Sequence, residues 1–178
     1  MAATAGRARR AVTTISLRTA TRADSAWVDA WLPDVATSLG YDPANQDRSQ
    51  KRLIIRRDAN GSRSAGDPAR EDVGVLIYRL STPARGDAMI ELVATPPQHA
   101  RKGAGMAAAA LLEEDLRRRG VRRVYAPAPA VHGIAMYFWI RLGYRPLLRG
   151  DWPCAREGVA WLVRDLTQHN LGPVGQSF

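Results

Sequence analysis

The sequence predicts one α/β domain built on a mixed sheet, and three observations carry that prediction. The chain has 178 residues, enough for a single domain with a sizeable core. Short apolar stretches of strand character alternate along it with stretches of helical spacing. Between Glu91 and Leu112 an extended apolar run passes through a glycine turn directly into an alanine-rich helix. No internal repeat or linker divides the chain. Residues 14–168 are expected to form the domain, after a flexible basic tail at 1–13 and before a frayed C-terminus at 169–178.

Thr14 to Ala20 alternates Ile15 and Leu17 with polar residues, which predicts a half-buried strand. Asp24 or Ser25 can cap a helix in which Trp27, Trp31, Leu32, Val35 and Leu39 fall at helical spacing. Arg52 to Arg57 predicts a short strand. Asp58 to Asp72 is rich in Gly, Ser, Asp and Pro and predicts a mobile surface loop. Val73 to Leu80 and Ala88 to Thr95 predict an antiparallel hairpin, apolar almost throughout, as befits strands covered on both faces. The helix after the glycines extends to about Arg119, with Gly120 as its natural stop. Val121 to Ala126 predicts a strand ended by Pro127 and Pro129, followed by a helix from about His132 to Leu142. Tyr144 to Arg149 and Val159 to Leu166 are the last two strands.

Hydrophobic residues make up 46% of the chain and charged residues 24%, close to the globular average, and no apolar run reaches membrane-span length. Cys154 is the only cysteine, so no intrachain disulfide or thiolate metal cluster can form, and a cytoplasmic location is the default. The net charge of +9 comes almost wholly from arginines spread along the chain, not gathered on one helix. That spread favours an arginine-rich composition with a phosphate-bearing cofactor over a nucleic-acid surface.

Ala100 to Met106 is the first candidate site. A helix N-terminus presents free backbone N–H groups where the macrodipole is positive. Gly103 and Gly105 lack a Cβ, so a ligand can approach the backbone, and Arg101 and Lys102 add charge. A phosphate or pyrophosphate suits such a turn. The spacing matches neither the P-loop nor the dinucleotide fingerprint, and a tight turn without a ligand would also contain such glycines.

Three local matches, in order, resemble the acetyl-CoA-dependent N-acetyltransferase superfamily, GNAT. ARKGAG (Ala100–Gly105) resembles its pyrophosphate loop, and IELVAT (Ile90–Thr95) the strand that precedes it. AMYFWIRLGYRP (Ala135–Pro146) resembles the signature of its late helix. The resemblance covers roughly Thr14 to Leu166. It implies a single domain with a mixed, mostly antiparallel central sheet flanked by helices, and acetyl-CoA as co-substrate with no metal. It assigns cofactor contacts to Val93, Thr95, Arg101, Lys102, Gly103, Ala104, Gly105 and Met106. Two positions depart from the pattern. Ala100 replaces the usual Gln or Arg. Trp139 stands where the family carries a tyrosine that protonates the departing thiolate, and an indole cannot act as that acid. Tyr137 should point elsewhere, whereas His132 and Trp139, seven apart, share a face turned to the cofactor.

Acetyl transfer to an amine requires a base for the ammonium proton. Glu91, at a position where the family often carries glutamate, is the candidate base, the alternative being pairing with an arginine. His132 is a candidate acid, with packing or cofactor contact as its other role. A coenzyme thiol, with a pKa near ~8.5 by analogy with cysteine, can leave as thiolate without strict acid help. The expected acceptor is a small-molecule or peptide primary amine, for a monomer or homodimer with no membrane or nucleic-acid partner. The alternatives are an acyl-CoA-binding module with little transferase activity, or a transferase for a nucleic-acid-linked amine. The acceptor pocket is expected to draw on Trp27, Trp31, the 58–72 region and the Trp152 loop.

Overall fold

The computed structural model describes residues 12–42, 47, 49–60, 70–153 and 157–167. The strands are β1 (Val12–Thr19), β2 (Lys51–Asn60), β3 (Arg70–Leu80), β4 (Asp87–Ala94), β5 (Arg123–Pro129), β6 (Arg145–Pro146) and β7 (Val159–Asp165). The α-helices are α1 (Ser25–Asp29), α2 (Leu32–Ser38), α3 (Ala104–Arg118) and α4 (Gly133–Arg141). The seven strands form one sheet in the order β1-β2-β3-β4-β5-β7-β6. Only β4 and β5 run parallel; every other neighbouring pair is antiparallel. The α/β class and the mixed, mostly antiparallel sheet agree with the sequence.

Local chemistry accounts for the differences. The single helix expected from Ser25 to Leu39 is broken into α1 and α2. Pro33 lies at the start of α2, and its ring would clash with the carbonyl of Asp29, where α1 ends. β2 and β3 extend into the expected loop and narrow it to 61–69, which lies outside the described residues, as do 1–11, Cys154 and 168–178. β1 begins at Val12, before the expected Thr14. β6 shrinks to two residues on the sheet edge, where a proline costs no ladder bond.

β5 runs through both prolines that were expected to end it. Ala130 N–H donates to Gly158 O at 2.8 Å, so even-numbered positions direct their N–H groups toward the β7 side. Pro127 and Pro129 therefore turn their nitrogens toward β4. The β4–β5 ladder stops at Met89 and Tyr125, so no bond is lost there.

β4 carries a bulge. Ile77 pairs with Leu92 but Tyr78 pairs with Ile90, leaving Glu91 as the extra residue. A regular strand would place Ile90 and Leu92 on one face. Here Ile90 joins the core that contains the buried α3 side chains, while Leu92 and Ala94 join the core under α1 and α2. Val93 packs against the α3-side core instead.

Close packing of β3 on the end of β4 requires Gly74. A Cβ built there lies 2.5 Å from Ala94 O and 2.9 Å from Thr95 Cγ2. Gly74→Ala should push the strands apart at a cost of about 1–3 kcal/mol. For a chain of this size that lowers Tm by about 2–12 °C. A melting curve superposable on wild type would refute the steric reading.

Two ion pairs anchor the second half of the domain. Asp87, fully buried at the start of β4, accepts from Arg123 Nε at 3.2 Å and Nη2 at 3.0 Å. This pair closes the base of the β4–β5 junction. Arg164 on β7 donates to Glu113 Oε2 at 2.5 Å and to Leu142 O at the end of α4. Glu113 is buried within α3, so one guanidinium ties β7 to both helices.

Candidate active site

The ladder between β4 and β5 covers three residue pairs, from Asp87↔Arg123 to Met89↔Tyr125, and then the strands part. The bulge at Glu91 lies just above the last pair, where added twist bends β4 away. Two cavities occupy the parting. One, of about 150 Å³, lies between Val93 on β4 and His132, Phe138 and Trp139 of the α4 region. The other, of about 270 Å³, lies among Tyr41, Arg79, Met89 and Trp161. Leu39, Glu91, Pro127 and Pro129 line both, so the two spaces meet at Glu91.

The Glu91 side chain is only 11% exposed. Gln50 Nε2 donates to its Oε2 at 2.6 Å, and Arg79 Nε lies 2.7 Å from Oε1, close but misaligned for a hydrogen bond. Burial raises the Glu91 pKa above the ordinary glutamate value, and the Arg79 charge and the Gln50 hydrogen bond only partly reverse it. Arg79 also pairs with Asp47 at 3.0 Å. Each carboxylate oxygen keeps a lone pair free after these contacts. The arginine partner considered from the sequence is therefore present, on a glutamate that also faces both cavities.

The turn before α3 carries two left-handed residues on either side of Lys102: Arg101 has φ +59° and Gly103, the N-cap, φ +80°. With glycine at the N-cap, no side chain satisfies the first-turn N–H groups of Ala104, Gly105 and Met106. Arg101, Lys102 and Gly103 are exposed, and Lys102 Nζ donates to Gln98 O at 2.8 Å. The two glycines have different tasks. A Cβ on Gly103 would meet nothing within 4 Å, whereas one on Gly105 would lie 3.2 Å from Val93 Cγ1 and 3.6 Å from Phe138 Cε2. The missing side chain of Gly105 thus serves internal packing, leaving only its N–H for a ligand.

His132 caps α4, its Nδ1 accepting the Ala135 N–H at 3.1 Å. That bond requires an unprotonated Nδ1, so the neutral ring carries its proton on Nε2. Trp139 is 5% exposed and lies between Phe138 and Tyr144, both at 4.9 Å between ring centroids. It is both a core residue and a wall of the cleft. Tyr137 is exposed, away from the cleft, with Arg141 5.7 Å from its ring centre.

Glu91, Val93, His132 and Trp139 come together around the split strands. Thr95 sits half-buried just beyond β4, and the 101–106 turn begins α3, where Gly105 backs onto Val93. Trp27 and Trp31 pack edge-to-face at 5.6 Å against the α1/α2 core, not in the larger cavity, and Trp152 packs in a third cluster with Trp161. Sequence reasoning missed Gln50, Arg79 and Phe138. The charge of Arg79 near the end of an otherwise apolar strand was the one available signal. Among the described residues no cluster of His, Cys, Asp and Glu could hold a metal ion, and no helix is long and apolar enough to cross a membrane.

A family model described as Acetyltransferase (GNAT) family matches residues 27–144. No match to a curated protein was found. Among solved structures, an acetyltransferase from Thermus thermophilus is 22% identical, with a TM-score of 0.61 over 85% of this chain and 97% of that one. Spermidine N-acetyltransferase from Vibrio cholerae, in complex with CoA and spermine, is 12% identical with a TM-score of 0.60, covering 86% and 96%. N-acetylglutamate synthase from Neisseria gonorrhoeae, complexed with coenzyme A and N-acetyl-glutamate, is 19% identical with a TM-score of 0.62, covering 86% of this chain and 35% of that one. These likenesses are of fold. The family model spans the bulged strand, the glycine turn and the whole of α4, and the chain belongs to the GNAT family of acetyltransferases.

Proposed function

We propose that this protein is an N-acetyltransferase of the cytoplasm that transfers the acetyl group of acetyl-CoA to a primary amine. The observation that carries the reading is the meeting of two cavities at Glu91. One opens on the split strands and the other on a separate pocket. The residues present fit an acyl-CoA. The unpaired side of β4 near Val93 and Thr95 suits an amide-bearing arm. The first-turn N–H groups of α3, with Arg101 and Lys102, suit a pyrophosphate. Bound there, the thioester supplies an electrophilic acyl carbon, and the remaining tasks fall to the chain.

The acceptor amine enters as an ammonium and must lose a proton to attack. Glu91 accepts that proton, directly or through water, and Gln50 and Arg79 fix its orientation. The amine nitrogen then bonds to the acyl carbon as the carbon–sulfur bond breaks, sulfur leaves as thiolate, and the second proton shed by nitrogen passes to that thiolate to give amide and thiol. His132 lines the cleft, and the capping bond that holds its ring at Nδ1 leaves Nε2–H as the uncommitted donor. Trp139 walls the cleft without serving as an acid.

Coenzyme A release measured with acetyl-CoA and a panel of primary amines tests the reading. Absence of amine-dependent release across the panel would favour a binding module instead. Gly103→Asp tests the turn separately, because an added side chain meets nothing there and aspartate tolerates the left-handed region. Its charge should oppose a pyrophosphate and weaken acetyl-CoA binding by about tenfold or more. Unchanged calorimetric affinity in that variant would remove the pyrophosphate from this turn.

A further inference from the structure

The larger cavity has a buried donor in its wall, which bears on the acceptor if Glu91 is the base as read above. Trp161 lines that cavity and is 3% exposed. Its Nε1–H has no hydrogen-bond partner among the described residues. An indole N–H can only donate, and buried donors are nearly always partnered because leaving one alone costs free energy. Trp31 Nε1–H shares that condition but lines neither cavity of the site. Trp161 differs in standing where a substrate would come to rest.

The register sets Trp161 opposite Glu91. Met89 pairs with Tyr125 at the last rung of the parallel ladder. Two residues further along these strands stand Glu91 and Pro127, and Pro127 pairs with Trp161. Glu91 and Trp161 therefore border the cavity at one level, from β4 and from β7, with only β5 between those strands. Two strand spacings separate their backbones by about 10 Å, and the parting of β4 and β5 adds to that. An amine presented to Glu91 would carry its far end toward the indole. The charges nearby do not shut out an electron-rich group. Burial and the Glu91 charge raise the pKa of Tyr41, another lining residue, and the positive charges of Arg52 and Arg79 work against that rise.

We infer that the acceptor amine carries an oxygen at its far end, as a carboxylate or an amide carbonyl, and that Trp161 Nε1–H is the donor that reads it. Trp161 is then a specificity residue. A body of the same length ending in a methyl group fills the space but leaves the N–H alone.

Pentylamine, 5-aminopentanamide and 5-aminopentanoate make the test, since they share one linear amine body and end in methyl, amide or carboxylate. With acetyl-CoA, kcat/KM for the amide, the carboxylate or both should exceed that for pentylamine by about tenfold or more. An advantage shared by amide and carboxylate shows that a neutral oxygen suffices; one confined to the carboxylate identifies an anion. Trp161→Phe keeps an aromatic body and removes the donor, so the advantage should shrink toward parity. Parity or a preference for pentylamine in wild type would overturn the inference, as would a folded Trp161→Phe that keeps the full advantage. Calorimetry of the three amines, with coenzyme A present, separates this inference from the proposed activity. Tighter binding of the oxygen-bearing amines without turnover would uphold the reading of Trp161 and sink the transferase. Turnover of all three without preference would overturn the inference and leave the transferase standing. Binding of none of the three would overturn it as well.

Discussion

Glu91→Gln should lower turnover by about 10²–10⁴-fold, the usual contribution of a positioned base. The shape of the site survives this change. Arg79 retains Asp47 as a partner, so no buried guanidinium is stranded, and acetyl-CoA affinity should not move. The pH profile is the sharper measurement. A base must be ionised to work, and burial raises the Glu91 pKa, so protonation disables the enzyme at a pH above the ordinary glutamate value of ~4.3. In wild type kcat/KM should therefore rise with pH along an acidic limb displaced upward. Glu91→Gln should lose that limb. A variant with wild-type turnover and profile would remove Glu91 from the chemistry.

The largest stability effect is expected from Arg164→Met. The substitution removes the cation facing Glu113, whose side chain is 5% exposed, and abandons a bond to Leu142 O. Stripping one partner from a buried pair costs about 3–5 kcal/mol, a large share of the ~5–15 kcal/mol that holds a domain. The cost depends on pH. Burial already raises the Glu113 pKa, opposed by Arg164, so losing the arginine raises it further. A carboxyl with a raised folded pKa contributes stability below its unfolded value and loses it as pH climbs through the folded value. The deficit of Arg164→Met should thus be small near pH 4 and grow toward neutrality; urea unfolding at both ends measures it. A deficit independent of pH would mean that packing alone, not charge, is lost.

The parts legible in the sequence were those whose chemistry is local. The glycine turn needs neighbouring residues with particular backbone freedom, and Gly103 and the α3 N-terminus stand where ARKGAG places them. α4 is bounded by a capping histidine and Gly143, both visible in the chain. What stayed hidden depends on partners far away in sequence. Glu91 meets Gln50 and Arg79, 41 residues back and on a neighbouring strand, and no local spacing encodes such contacts. The break at Pro33 was local and legible, but the helical spacing on either side outweighed it. The bulge was not: Leu92, Val93 and Ala94 are all apolar, and only pairing with β3 reveals which face each one takes.

The parting of β4 and β5 gives the sheet interior edges as well as outer ones. An exposed edge is a liability, because its free N–H and C=O groups can template a foreign strand. This gap is asymmetric. Past Tyr125 the β5 nitrogens facing it belong to Pro127 and Pro129, so that bank lends carbonyls but no donors. A foreign strand could not zip both sides shut, while a slender ligand with amides of its own could pair along β4 and merely rest against β5. In the proposed enzyme the prolines would thus act as selectors, holding open a slot through the middle of the sheet for guests that need to be read from one side only.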